Sequence, residues 1–102
     1  MDFFLSTPDE ICLEIGARVR KQRQLKNMQQ SEVAQKAGLS RKTVMSLENK
    51  GVCALDCFIK IIYALELESE LESFLIPKIV SLNDLEKQEK TVTRIRHKKS
   101  WA

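Results

Sequence analysis

The stretch from Gln30 to Leu47 constrains this chain most. Val33, Ala34 and Ala37 share one side of a short helical segment; Gly38, Leu39 and Ser40 follow, and Val44 and Leu47 then return at helical spacing. Glycine adopts positive φ without steric cost, and Ser before a helix accepts from backbone N–H groups one turn ahead. The pattern predicts a helix over Gln30–Ala37, a tight turn at Gly38 with Leu39 plugged inward, and a helix from Arg41 to Glu48 ended by a turn at Asn49, Lys50 and Gly51. At about 100° per residue Val44 and Leu47 face inward, while Lys42, Met45, Ser46 and Asn49 gather near the opposite pole. Met45 is the one apolar member of that outward face.

The flanking segments predict more helix. Thr7, Pro8, Asp9 and Glu10 combine an N-cap hydroxyl, Pro at the first helical position and Glu placed to close a capping box. That helix carries an apolar stripe of Ile11, Ile15 and Val19 and should stop near Lys26, because Asn27 tolerates the left-handed conformation. Downstream, Leu55, Phe58, Ile59, Ile62 and Leu65 predict a fourth helix that supplies much of the core. Ser69 and Glu72 predict a capping box for a short fifth helix with Leu71, Phe74 and Leu75, stopped at Ile76 by Pro77. A further helix is expected over 81–90 on Leu82 and Leu85, before a basic stretch without clear period over 91–102, ordered only by a partner. The expected fold class is all-α: a domain over residues 8–76, then a C-terminal extension over 77–102 with a basic tail.

Composition agrees with this reading and narrows the function. A chain of 102 residues with 43% hydrophobic residues, three Gly and two Pro supports one small, ordered, helix-rich core. The net charge of +3 hides a lopsided distribution. From Arg18 to Lys50 nine Lys or Arg face only Glu32 and Glu48; from Gly51 to Lys90 eight acids face four bases; from Thr91 onward four bases stand without an acid. Concentrated positive charge of this kind suits a polyanion. The acidic cluster Glu66, Glu68, Glu70 and Glu72 reads as a solvated surface that turns the basic face toward such a polyanion, or as a docking surface for a basic partner.

Three cysteines, Cys12, Cys53 and Cys57, lack the partners of a zinc ligand set, so they read as small apolar, buried or half-buried thiols in a reducing cytoplasm. A metal or redox role for Cys53 and Cys57 is the alternative. No apolar run reaches the length of a membrane span or signal core. The one histidine, His97, lies in the tail, and neither a nucleophile–base–acid grouping nor a Gly-rich phosphate loop can be proposed, so catalysis and a cofactor are not expected.

The run Met28-Gln29-Gln30-Ser31-Glu32-Val33-Ala34-Gln35-Lys36-Ala37-Gly38-Leu39-Ser40-Arg41-Lys42-Thr43-Val44-Met45-Ser46-Leu47-Glu48 resembles the Cro and phage-repressor (XRE-like) helix-turn-helix family. The resemblance extends from about Ile15 to Leu75. It implies a compact five-helix domain that lays its third helix in the major groove of double-stranded DNA. Carried over by position, Arg41, Lys42, Thr43 and Ser46 match the base-reading residues. Gln30 matches a phosphate clamp at the start of the second helix, and Asn49 and Lys50 match a backbone-contacting turn. Arg23 and Glu48 match a structural pair, read either as a phosphate-directed Arg steadied by Glu48 or as a brace between two helices. Two positions depart from the family: Gln29 stands where Ser or Thr caps the second helix, and Asn27 replaces a frequent Gly.

The function implied is a repressor acting as a homodimer on a palindromic operator. Leu71, Phe74, Leu75 and Ile76 are the candidate dimer interface, since they and Ile79 exceed what one small core can cover. The short length and the stretch from Leu71 to Leu85 are similar to HipB-like antitoxins, which repress their own operon and bind a HipA-type kinase toxin. A phage-type or stand-alone repressor, or a helical module bridging proteins, are the alternatives; the last calls for an uncharged or acidic third helix, against Arg41 and Lys42. For the basic tail, Arg94, Arg96, His97, Lys98 and Lys99, the readings are a solubilising end, added phosphate contact or capture of a protein partner. Trp101 beside it reads as a solvated end or as an aromatic buried in a partner or second protomer.

Overall fold

The computed structural model describes residues 1–78, and all regular structure within them is helical. A 3₁₀ turn (Phe3–Leu5) precedes α1 (Pro8–Leu25), α2 (Gln30–Ala37), α3 (Arg41–Lys50) and α4 (Leu55–Ala64), and a second 3₁₀ turn spans Glu68–Leu71. The chain divides into two units, Met1–Glu72 and Ser73–Ala102. The expectations placed on 81–90 and on the tail, Ile79 and Trp101 included, lie outside the described residues.

Local chemistry starts the helices where the sequence indicates. Thr7 Oγ1 accepts from Glu10 N at 3.2 Å and Glu10 Oε1 accepts from Thr7 N at 2.9 Å, closing the capping box of α1. Ser40 Oγ accepts from Thr43 N at 3.2 Å and caps α3. Gln29 offers α2 no hydroxyl, but Glu32 Oε1 reaches back to accept from Gln29 N at 3.0 Å, which ties down that end from the other side. Asn27 closes α1 with φ of 55°, as expected, and Gly38 makes the turn into α3 with φ of 69°.

The core of the first unit joins Val19 of α1, Val33 and Ala34 of α2, Val44 and Leu47 of α3, and Ile61, Ile62 and Leu65 at the end of α4. Met28, Leu39, Phe58, Leu67 and Leu71 pack around it, half-buried. α1 crosses α3 with no side chain between them at Gly16: a methyl there would overlap the carbonyl oxygen of Leu47 and lie 3.1 Å from that of Glu48. Only glycine permits this approach, which brings Arg23, two turns further along α1, over Glu48.

Four expectations need correction. α3 runs on through Asn49 and Lys50, since the left-handed cap falls at Gly51. On α4 the buried face is Ile61 and Ile62, with Leu65 just beyond and Phe58 half-buried; Leu55 and Ile59 point to solvent, because the core meets the C-terminal half of the helix. The fifth helix is a single 3₁₀ turn, and the Ser69–Glu72 capping box gives way to a backbone bond from Glu72 N to Ser69 O at 3.2 Å. Glu66 and Leu75 both take a left-handed φ of 59°, which a right-handed helix through this segment would not contain. Finally, Cys12 is exposed, while Cys53 and Cys57 are half-buried as expected.

Candidate nucleic-acid interface

The site grows from a rigid brace. Arg23 and Glu48 are buried, and the guanidinium is held by three donated bonds: Nε to Glu48 Oε2 at 2.7 Å, Nη2 to Glu48 Oε1 at 3.0 Å and Nη1 to Met28 O at 2.8 Å. Gln30 Nε2 donates to the same Glu48 Oε1 at 3.1 Å. One carboxylate thereby joins the end of α1, the start of α2 and the end of α3. The fork geometry is the strong form of charge-assisted pairing. Of the two readings of Arg23, this arrangement fits the brace: three of its five N–H donors are used inside the fold.

The brace sets α3 so that Arg41, Lys42, Met45, Asn49 and Lys50 are exposed. Among the described residues no acid holds Arg41 or Lys42. Thr43 and Ser46 are half-buried and already engaged. Thr43 Oγ1 lies 3.0 Å from Ser40 Oγ, and Ser46 Oγ donates to Val52 O at 2.8 Å. With its one hydrogen spent, the Ser46 hydroxyl can offer a ligand only lone pairs. Arg20, Lys21, Lys26 and Lys36 add exposed positive charge on α1 and α2, whereas Arg18 is partly neutralised by Glu14 at 3.5 Å and lies 5.1 Å over the Phe3 ring.

Beside the outward face of α3 the turn at Val52–Ala54 and the start of α4 form a groove, its walls including Met45, Val52, Cys53, Ala54 and Cys57. Met45 is legible in the sequence as an apolar residue on a polar face, but this groove is not, because Val52, Cys53 and Ala54 show no periodicity. Burial, then the neighbouring Cys57 and Asp56, push the Cys53 thiol up from its ordinary range. It therefore stays protonated at neutral pH, as a packing group. Among the described residues no group of three His, Cys, Asp or Glu side chains converges as a metal site would, and no helix is long and apolar enough to cross a membrane.

Of the predicted site residues, Arg41, Lys42, Asn49 and Lys50 stand in the open on α3, Thr43 and Ser46 sit at its edge, and Gln30 is drawn into the brace. Phe74, Leu75 and Ile76 of the second unit are exposed, whereas Leu71 packs on the core of the first. A comparison with curated proteins gave no match. A family model described as helix-turn-helix matches residues 19–53, from the middle of α1 to the turn after α3. That match, on two helices joined at Gly38 and braced by Glu48, supports the helix-turn-helix family and a DNA-binding transcription regulator.

Proposed function

We propose that the protein is a sequence-specific double-stranded DNA-binding repressor that acts as a homodimer. The observation that carries this reading is the outward face of α3, where Arg41 and Lys42 are exposed at its first turn and free of acidic partners among the described residues. In major-groove docking the first residues of the recognition helix meet base edges, and Arg and Lys both donate to guanine O6 and N7. A guanine in each half-site follows, with Thr43 and Ser46 touching neighbouring bases through their oxygens. Gln30, Asn49 and Lys50 face the phosphates, which position the protein without carrying sequence information, and Arg23 acts through the brace that orients Gln30.

Two apolar surfaces support self-association: Phe74, Leu75 and Ile76 in the second unit, and Leu55, Ile59 and Tyr63 at four-residue spacing on α4. Exposed patches of this kind usually mark association, and two-fold symmetry matches a palindromic operator. Leu71, half-buried against its own core, would stand at the edge of the first of these surfaces. The antitoxin reading extends the proposal to cytoplasmic autoregulation with capture of a HipA-type kinase; its support is the resemblance of the stretch from Leu71 to Leu85. Sedimentation of the intact chain at micromolar concentration, alone and with a palindromic duplex, tests the dimer. A two-chain species that Phe74→Asp or Ile59→Lys converts to monomer supports it, and a monomeric wild type in both conditions overturns it. Recovery of a kinase-like protein with the native complex tests the antitoxin role.

A further inference from the structure

We infer that Met45, with the apolar groove beside it, reads the 5-methyl group of a thymine in each half-site, which makes Met45 a specificity-determining residue. The inference rests on the DNA-binding reading above and adds the identity of a second base. Met45 lies on the same face of α3 as Lys42, Ser46 and Asn49, at i+3 from Lys42 and i−4 from Asn49. It remains 36% exposed and Val52 across the groove 61%, so this apolar surface sits within the polar face rather than beneath it.

The chemistry of the site selects the occupant. Among the groups that base pairs present in the major groove, the thymine methyl is the apolar one, and apolar side chains contact it. Lys42 and Lys50 also line the groove and would flank it with positive charge, which suits DNA and disfavours an uncharged apolar peptide. Ser46 cannot compete for the same base as a donor, since its hydrogen is given to Val52 O. The bond has a second effect: it ties the Val52 wall to α3, so the groove keeps its shape as the helix docks.

Position along the operator follows from helix geometry. Three residues of α-helix rise about 4.5 Å, against roughly 3.4 Å per base pair of duplex. The thymine therefore lies within one or two base pairs of the base read by Lys42.

The test uses the intact wild-type protein and its selected operator, with each thymine replaced in turn by uracil, which removes the methyl and leaves the hydrogen-bonding edge intact. At one thymine per half-site the replacement should weaken binding about fourfold, the factor expected for one buried methyl group. Met45→Ala should bind thymine and uracil operators equally, at the wild type's affinity for uracil; Met45→Leu should retain part of the preference. Uracil without effect at every position overturns the inference while leaving DNA binding intact, as does a thymine preference that survives in Met45→Ala. Failure of selection to enrich any operator overturns the inference together with the DNA-binding reading, and so separates the two.

Discussion

The brace at Glu48 makes a quantitative prediction, because it buries a charge whose partner can be removed. The Glu48 side chain is 0% exposed and Arg23's 10%. Arg23→Met leaves the carboxylate with only the Gln30 amide at 3.1 Å, and breaking a buried pair in this way costs about 3–5 kcal/mol. A unit of 72 residues has a total stability of roughly 4–11 kcal/mol. The single substitution should thus remove a large part of it. Removing both charges is milder: in Arg23→Met with Glu48→Leu no charge stays buried, and the Met28 carbonyl and Gln30 amide, both half-buried, turn to water. The double variant should be more stable than Arg23→Met by at least about 2 kcal/mol, a favourable replacement of the kind known for buried ion pairs. Urea unfolding followed by far-ultraviolet circular dichroism at pH 7, with equal m-values across the cycle, measures this. Additive single-variant costs, to within about 0.5 kcal/mol, would refute the coupling.

Four further outcomes are expected. Gly16→Ala should cost about 1–3 kcal/mol and toward the upper end, since the obstacle is the Leu47 backbone; Glu66→Gly, which relieves a left-handed φ of 59°, should gain about 0.5–1 kcal/mol. Both are read from thermal or urea midpoints. Iodoacetamide should label exposed Cys12 well before Cys53, whose thiol burial keeps protonated, and peptide mapping that finds Cys53 labelled first contradicts this. The Thr7 backbone N–H, then its hydroxyl, hold the Glu10 carboxyl below its ordinary value of 4.5. The bond therefore stabilises the fold fully above pH 4.5 and is lost as pH falls through the lowered value. The melting-temperature advantage over Glu10→Ala should shrink in that window and be flat above it.

Much of this was legible in the chain because it is local. Thr7 with Glu10, Asn27, Gly38 and Ser40 act within one helical turn of themselves, so the boundaries of α1 and α2 and the start of α3 follow from spacing. The pairing of Arg23 with Glu48 came from the family resemblance, since residues 25 apart leave no periodic trace. What escaped depends on how helices meet. Gly16 looks like any helical glycine until α3 lies across it, and Leu55 and Ile59 satisfy the helical pattern as well as Ile61 does until the core chooses one end of α4. The groove beside α3 escaped for the same reason: its walls come from a turn and two helices, and only Met45 carried a signal, as an apolar residue on an otherwise polar face. The fifth helix was overestimated because a capping pattern carries no sign of the left-handed backbone at Glu66 and Leu75.

The most direct test of the central claim is a binding selection on randomised duplex DNA with wild type, Arg41→Ala and Lys42→Ala, followed by affinity measurements on the selected and a scrambled duplex at one salt concentration. The expected result is an enriched palindromic motif containing guanine, bound well above the scrambled duplex. Each substitution should relax preference at one or two base pairs per half-site by about 1–3 kcal/mol. Equal affinity for selected and scrambled DNA, or an unchanged motif of unchanged stringency for both variants, would contradict the placement of α3 as the reading surface.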